Sequence, residues 1–365
     1  MEKYEITHIY ILLLNSYSYA MYLRLKALLI SHAQFSHALR VTLAIAFTLA
    51  FYSIVHVPHS MWGPVTVVVV MMQPYAGAIV YKGFQRIGGT LLGALLGLLT
   101  VLFPHQLNYL IPVWMLAWVF LLSLKSYGKN IYFFFLAVMT LIIVSYQGDT
   151  ALEVSVALWR VANILIGSLI AIAFSLLLPI RAVTSWNTLF NQNLRALRQL
   201  YQAHASAHML SIKQLNSMKR EVLERHMKMI ILLPNVQKER HKLAGHYRTI
   251  ITVQRTLISV TEQLIETHWS SDISRRQLLA QTDLKQYQQH IITILNQLEL
   301  ASVNHSNLVN IDELPNIELL STMAEEISPD DTANALGIYG YFWLTRQFIC
   351  QLDALILQLR ILNQK

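Results

Sequence analysis

The chain has 365 residues, of which 55% are hydrophobic and only 13% charged, and its mean hydropathy is +0.43. A soluble globular domain carries roughly a quarter charged residues and a disordered chain is poorer in apolar ones, so neither describes the whole chain. The formal net charge is +8, and the single cysteine, Cys350, excludes an intrachain disulfide and a cysteine-built zinc site.

The charge is unevenly distributed. Residues 1–180 hold 9 Lys+Arg and 4 Asp+Glu, whereas residues 181–365 hold 19 and 16. Ten of the 13 glycines lie in the first part. A membrane domain followed by a water-soluble one accounts for both skews.

In chain order, residues 1–36 come first. The apolar run Ile9–Leu14 is too short to span a bilayer, and Asn15, Arg24 and Lys26 interrupt the next fifteen residues. No small-residue cleavage site marks a secretory signal, so a tyrosine-rich interfacial helix is expected, with a seventh span as the alternative. Met21 is a second plausible start, which would leave residues 1–20 outside the mature protein.

Residues 41–81, 87–124, 130–148 and 161–180 contain no Asp, Glu, Lys or Arg. A membrane helix takes about 20 residues, so each long stretch holds two spans, parted by His56–Ser60 and by Pro104–Asn108. Six spans are predicted: 38–55, 61–81, 84–103, 109–125, 130–147 and 154–178. With the N-terminus inside, every basic loop residue (Arg40, Lys82, Arg86, Lys125, Lys129 and Arg181 among them) faces the cytoplasm. The expected architecture is all-α: a six-helix transmembrane bundle over 37–180, N-in and C-in, then a cytoplasmic helical domain over 181–365.

In that second part the periodicity is helical from Trp186. Val222–Leu233 is expected to stop at Pro234. Further helices are expected over 236–268, 272–300 and 331–362, with 301–316 as loop. His204 and His208, one turn apart, fit a solvated face better than a metal site, because no third ligand is evident. The run Lys219–Lys228 interleaves Glu221 and Glu224 at helical spacing, which describes a salt-bridged surface rather than a nucleic-acid interface. P-loop, zincin, G-x-S-x-G and kinase signatures are absent, so no enzyme, cofactor or ATP-driven step is indicated.

The membrane part carries the candidate site. Gly89, Gly93 and Gly97 recur every four residues and allow close helix packing, within the chain or, alternatively, at a dimer seam. Pro74 ends or bends the second span only 12 residues after Trp62, about 18 Å of helix against a core of about 30 Å. Broken membrane helices present backbone dipoles to substrates, and a simple proline kink is the plainer reading. Arg40, Lys82 and Arg86 are expected to snorkel at cytoplasmic ends. Arg160 lies inside the last span with Asn163 on its face, which is the mark of a bundle-facing or cavity-facing charge. It has Asp149 and Glu153 as potential partners. Together these predict attraction of an organic anion by Arg86, Lys82 and Arg40, a site lined by Gln73 and Pro74, and a deeper contact at Arg160 and Asn163.

His37-Ala-Leu-Arg40-Val-Thr-Leu-Ala, Trp62-x3-Thr66-Val-Val-Val-Val, Gln73-Pro74 and Gln85-Arg86-Ile-Gly-Gly89-Thr90-Leu-Leu-Gly93 resemble the fusaric acid resistance (FUSC) family. The resemblance runs from about residue 25 onward and is strongest over 37–97. It implies an inner-membrane exporter of aromatic or other organic acids, driven by the proton gradient and, in some relatives, coupled to a periplasmic adaptor. Full-length relatives carry two membrane units, so a homodimer is implied for a chain with one. A distant likeness to plant malate channels implies a passive anion channel as the alternative, and a membrane scaffold that moves nothing is the other.

Overall fold

Every regular element among the described residues is a helix. The computed structural model describes residues 33–103, 105–128, 130–146, 151–177, 179–206, 211–269, 276–278, 280–304, 311–326 and 332–364. The interfacial helix expected over 1–36 lies outside these, apart from its last residues. The chain divides into two compact units, with the boundary between Arg181 and Ala182.

The N-terminal unit contains α1 (Ala33–Val55), α2 (Trp62–Met71), α3 (Ala76–Leu98), α4 (Ile111–Lys125), α5 (Ile131–Tyr146) and α6 (Ala151–Leu177). By length and composition, two helical stretches among the described residues are suited to crossing a membrane, Gln34–Val55 and the one beginning at Ser155. Trp62–Met71, Ile111–Lys125 and Ile131–Ser145 are shorter apolar helices.

The expected boundary between the second and third spans moves. The helix predicted over 61–81 ends at Met71, and α3 starts at Ala76, so the break falls at residues 72–75 and not at Lys82. Pro74 has no N–H for a continuing helix, and the chain turns where it stands. The first amide of α3, that of Ala76, instead donates to the Ile180 carbonyl at 2.9 Å. Arg86 is therefore ten residues into α3, about 15 Å along its axis, and does not snorkel from its end.

Helix α3 packs against α5 along the glycine stripe. A Cβ on Gly89 would overlap the Phe133 carbonyl, one on Gly93 would overlap the Ala137 carbonyl, and one on Gly97 would stand 2.7 Å from Val144 Cβ. The three glycines are thus spent within the chain, and they let two helix backbones touch. Gly167 does the same for α6 against α2, where an added Cβ would lie 2.6 Å from the Gly63 carbonyl. Ala44, Val67, Val70, Met71, Ile79 and Ala171 fill the space among α1, α2, α3 and α6.

The C-terminal unit contains α7 (Ala182–Ala205), α8 (Ile212–Glu239), α9 (Ala244–Trp269), α10 (Thr282–Asn304), α11 (Glu318–Glu326) and α12 (Thr332–Asn363). Its core is built from larger side chains, including Trp186, Leu194, Leu197, Tyr201, Met229, Tyr341 and Phe348. Helix α8 opens with a capping box between Ser211 and Gln214. Contrary to the sequence expectation, it runs through Pro234 to Glu239. Pro234 and Ile230, whose carbonyl loses its helical donor, both lie away from the buried face, so water can replace that bond. Helix α11 falls in a region to which the sequence pattern assigns no element. At the start of α7 the Glu239 carboxylate accepts from the amides of Ala182 and Val183 at 2.9 and 3.0 Å. A carboxylate at two free helix N–H groups is a remote N-cap.

Candidate anion site along α2

Three arginines are strung along α2 and the break after it. Near its first residue, the guanidinium carbon of Arg160 from α6 lies over the Trp62 ring, 3.5 Å from the centroid. One turn on, Arg86 from α3 donates to the Thr66 hydroxyl at 3.3 Å. Past the end, Arg40 from α1 donates to the Pro74 carbonyl at 2.8 Å and contacts His37 Nδ1 at 3.1 Å.

Arg86 is the most informative of the three. It is 7% exposed, and its second bond goes to the Tyr132 hydroxyl on α5 at 2.9 Å. Both acceptors are neutral hydroxyls. Its Nε is buried without a hydrogen-bond partner. The Tyr132 ring also faces Lys82, whose Nζ is 5.1 Å from the centroid, so one tyrosine serves two cations. Asn130 completes the edge of the cluster by accepting from Tyr81 at 3.2 Å and Gln85 at 3.4 Å. No carboxylate belongs to this cluster among the described residues. The four acidic residues of positions 1–180 are Glu2, Glu5, Asp149 and Glu153, and Glu2, Glu5, Asp149 and the side chain of Glu153 lie outside the described part. Among the described residues this buried guanidinium therefore meets only neutral acceptors, which makes it the candidate for an anion contact.

The predicted residues do not share one pocket. Lys82 and Arg86 come together through Tyr132. Arg40 serves the Pro74 carbonyl, beside Gln73 in the 72–75 bend. Asn163 has a framework role: fully buried, it donates to the Pro58 and His59 carbonyls at 2.8 and 3.1 Å. This holds the loop after α1, where His56 and His59 both adopt φ of 53°, a region that non-glycine residues seldom occupy. Tyr132 at the candidate site is not announced by the sequence, and Trp62 and Thr66 stand out there only as part of a family motif, not as partners of the arginines. All three are neutral, and only the fold shows that they face the arginines, although Trp62 and Thr66 stand four apart on one helical face.

His204 is not on a solvated face. It is fully buried, with Nδ1 2.7 Å from the Tyr201 carbonyl and Nε2 3.0 Å from the Tyr341 hydroxyl. A carbonyl only accepts, so Nδ1 carries the proton. The Tyr341 hydroxyl then donates to Nε2 and accepts from Gln288 Nε2 at 2.6 Å. This closed network leaves no lone pair for a metal, and His208 lies outside the described residues. The basic run on α8 forms ion pairs, Arg220–Glu224 at 3.7 Å, Arg225–Glu221 at 3.4 Å and Lys219–Glu266 at 3.4 Å.

Apolar helices with cations buried between them define the class of integral membrane proteins. The model of the fusaric acid resistance protein family matches residues 34–336, and the chain belongs to that family. It is also 31% identical over 331 residues to the inner membrane protein YeeA of Escherichia coli (strain K12), a match covering 89% of this chain and 93% of that protein. The chain is an integral inner-membrane protein, and its family points to transport rather than catalysis.

Proposed function

We propose that the chain exports aromatic or other organic acids from the cytoplasm, driven by the proton gradient, and that it works as a homodimer. In this reading α1 to α6 are the six spans, N-in and C-in, and the C-terminal unit is cytoplasmic. The observation that carries the reading is Arg86: buried, bonded only to Thr66 and Tyr132, and lacking a carboxylate among the described residues. Lys82 adds positive charge on the cytoplasmic side of Arg86 and draws anions toward it. The Tyr132 ring and hydroxyl hold both cations without neutralising them. Arg40 fixes the break at Pro74, and Asn163 fixes the opposite end of α2, so the short helix presents Thr66 to the site from a braced position. The absence of lysine and arginine from the external loops favours release there. A periplasmic adaptor would receive the substrate on that side.

The test is accumulation of radiolabelled aromatic carboxylates in cells with and without the protein, repeated after the proton gradient is collapsed. Lower accumulation that a protonophore restores to the control level supports coupled export. Arg86→Gln is expected to weaken that export at least tenfold with unchanged protein abundance, because a charge-assisted contact contributes roughly 1.5–3 kcal/mol. Equal accumulation with and without the protein, across a panel of acids, refutes the reading.

A further inference from the structure

Trp62 and Thr66 occupy one face of α2, one turn and about 6 Å apart along the axis. Each receives a guanidinium from a different helix, Arg160 of α6 at Trp62 and Arg86 of α3 at Thr66. The two arginines are held alike. Each rests against a neutral side chain of α2, and each has a buried Nε without a hydrogen-bond partner. No described carboxylate answers either one.

The Trp62 contact is not a substitute for an anion. With the guanidinium carbon only 3.5 Å above the ring there is no room for an N–H to point into the face, so the plane of the fork lies across the indole and its N–H groups point outward. The stack fixes that plane and strips water from one side of it. Asn163, three residues along α6, does not fill the edge, because its amide is turned to the loop carbonyls of Pro58 and His59.

We infer that Trp62 and Arg160 form a second anion station, one turn along α2 from the first at Arg86, with Trp62 as the positioning residue for the Arg160 fork. This rests on the reading of Arg86 as an anion site and deepens it. An organic anion then has two successive places along one short helix. Two carboxylates so close repel each other, so occupancy of one station loosens the other. That is how a multi-site path combines attraction with release.

The experiment is calorimetric titration of the purified full-length protein in detergent with benzoate, with thermal unfolding of each variant as the folding control. Two benzoates per chain are expected in the wild type. Arg160→Gln should remove one and keep the other, and Arg86→Gln should remove the complementary one. Trp62→Leu should weaken the Arg160 event about tenfold, whereas Trp62→Phe, which retains a ring face, should weaken it by only about threefold. Indole fluorescence gives a second readout that a merely structural role would not move: a change at benzoate saturation that is present in the wild type and absent in Trp62→Phe. The wild-type stoichiometry stands as a test even where a variant does not fold. A single benzoate per chain, abolished by Arg86→Gln and untouched at Trp62, overturns the second station and leaves the first. No benzoate bound by folded wild type overturns both.

Discussion

The two units solve opposite problems with the same helical element. In the N-terminal unit large apolar side chains face outward, as on α4, which exposes Val113, Leu116, Phe120, Leu121 and Leu124, while the cations Arg40 and Arg86 are buried. In the C-terminal unit the large apolar groups are inside and the charges are paired near the surface, as with Arg198 and Glu299 at 2.9 Å. The difference teaches what each surrounding rewards. Against lipid, burying apolar area gains little, so contact comes from glycine seams and backbone approach. Against water, burial of Leu, Ile, Tyr and Trp drives association, and glycine is nearly absent.

The sharpest way to break this contrast is to fill a seam. Gly93→Leu places a side chain against the Ala137 carbonyl, which is backbone and cannot turn aside. A loss of about 3 kcal/mol or more is expected, seen as collapse of the monodisperse peak and a lowered unfolding temperature in detergent. The same change at Gly245, where an added Cβ meets nothing within 4 Å, should leave both unaltered.

The next largest effect lies in the C-terminal core. Tyr341→Phe removes the hydroxyl shared by His204 and Gln288 and leaves buried polar atoms unanswered, a cost of roughly 1–3 kcal/mol. Thermal unfolding of the full chain measures it. Glu239→Ala strips the acceptor from the first two amides of α7, at about 1 kcal/mol. Hydrogen exchange should quicken at residues 182–185 and not in α12.

The smallest effect is a pH dependence confined to the C-terminal unit. Burial holds the His226 imidazole below its ordinary pKa of 6.5, and nearby Arg255 pushes the same way against the bond to Gln254. The unfolded chain therefore binds this proton more readily than the folded one. The stabilisation is complete above pH 6.5 and is lost as pH falls toward the depressed folded value. Exchange of α8 and α9 amides should rise below pH 6.5, and His226→Leu should flatten that rise.

Much of the N-terminal helix pattern is legible in the sequence because charged residues punctuate apolar runs: α1, α4, α5 and α6 lie close to the charge-free stretches that mark them. The failure at Lys82 comes from the same rule. The lysine looks like punctuation, but its ammonium rests over the Tyr132 ring and α3 continues past it. Pro74 stands out in the sequence, but as a feature of one span and not as the boundary between two. At the site the cations are visible and their holders are not. Arg86 and Arg160 catch the eye in an uncharged sequence, whereas Tyr132 comes from a helix 46 positions away and carries no mark of its role. His204 misleads in the opposite way, since a polar residue looks solvated until the fold supplies Tyr341 from 137 positions away.

The glycine seam between α3 and α5 has a mechanical consequence. Two helices that meet at three successive glycines, against the Phe133 and Ala137 carbonyls and the Cβ atoms of Leu136, Thr140 and Val144, have little room to slide or roll past each other. Arg86 and Tyr132, one on each helix, are therefore tied into a single part by the seam as well as by their own hydrogen bond. On the other side of Arg86, ten-residue α2 is gripped at its loop by Asn163, at the Pro74 joint by Arg40 and at Gly63 by Gly167 of α6, so α2 and α6 form a second such part. Arg86 and Thr66 thus face each other across the line where the two parts meet.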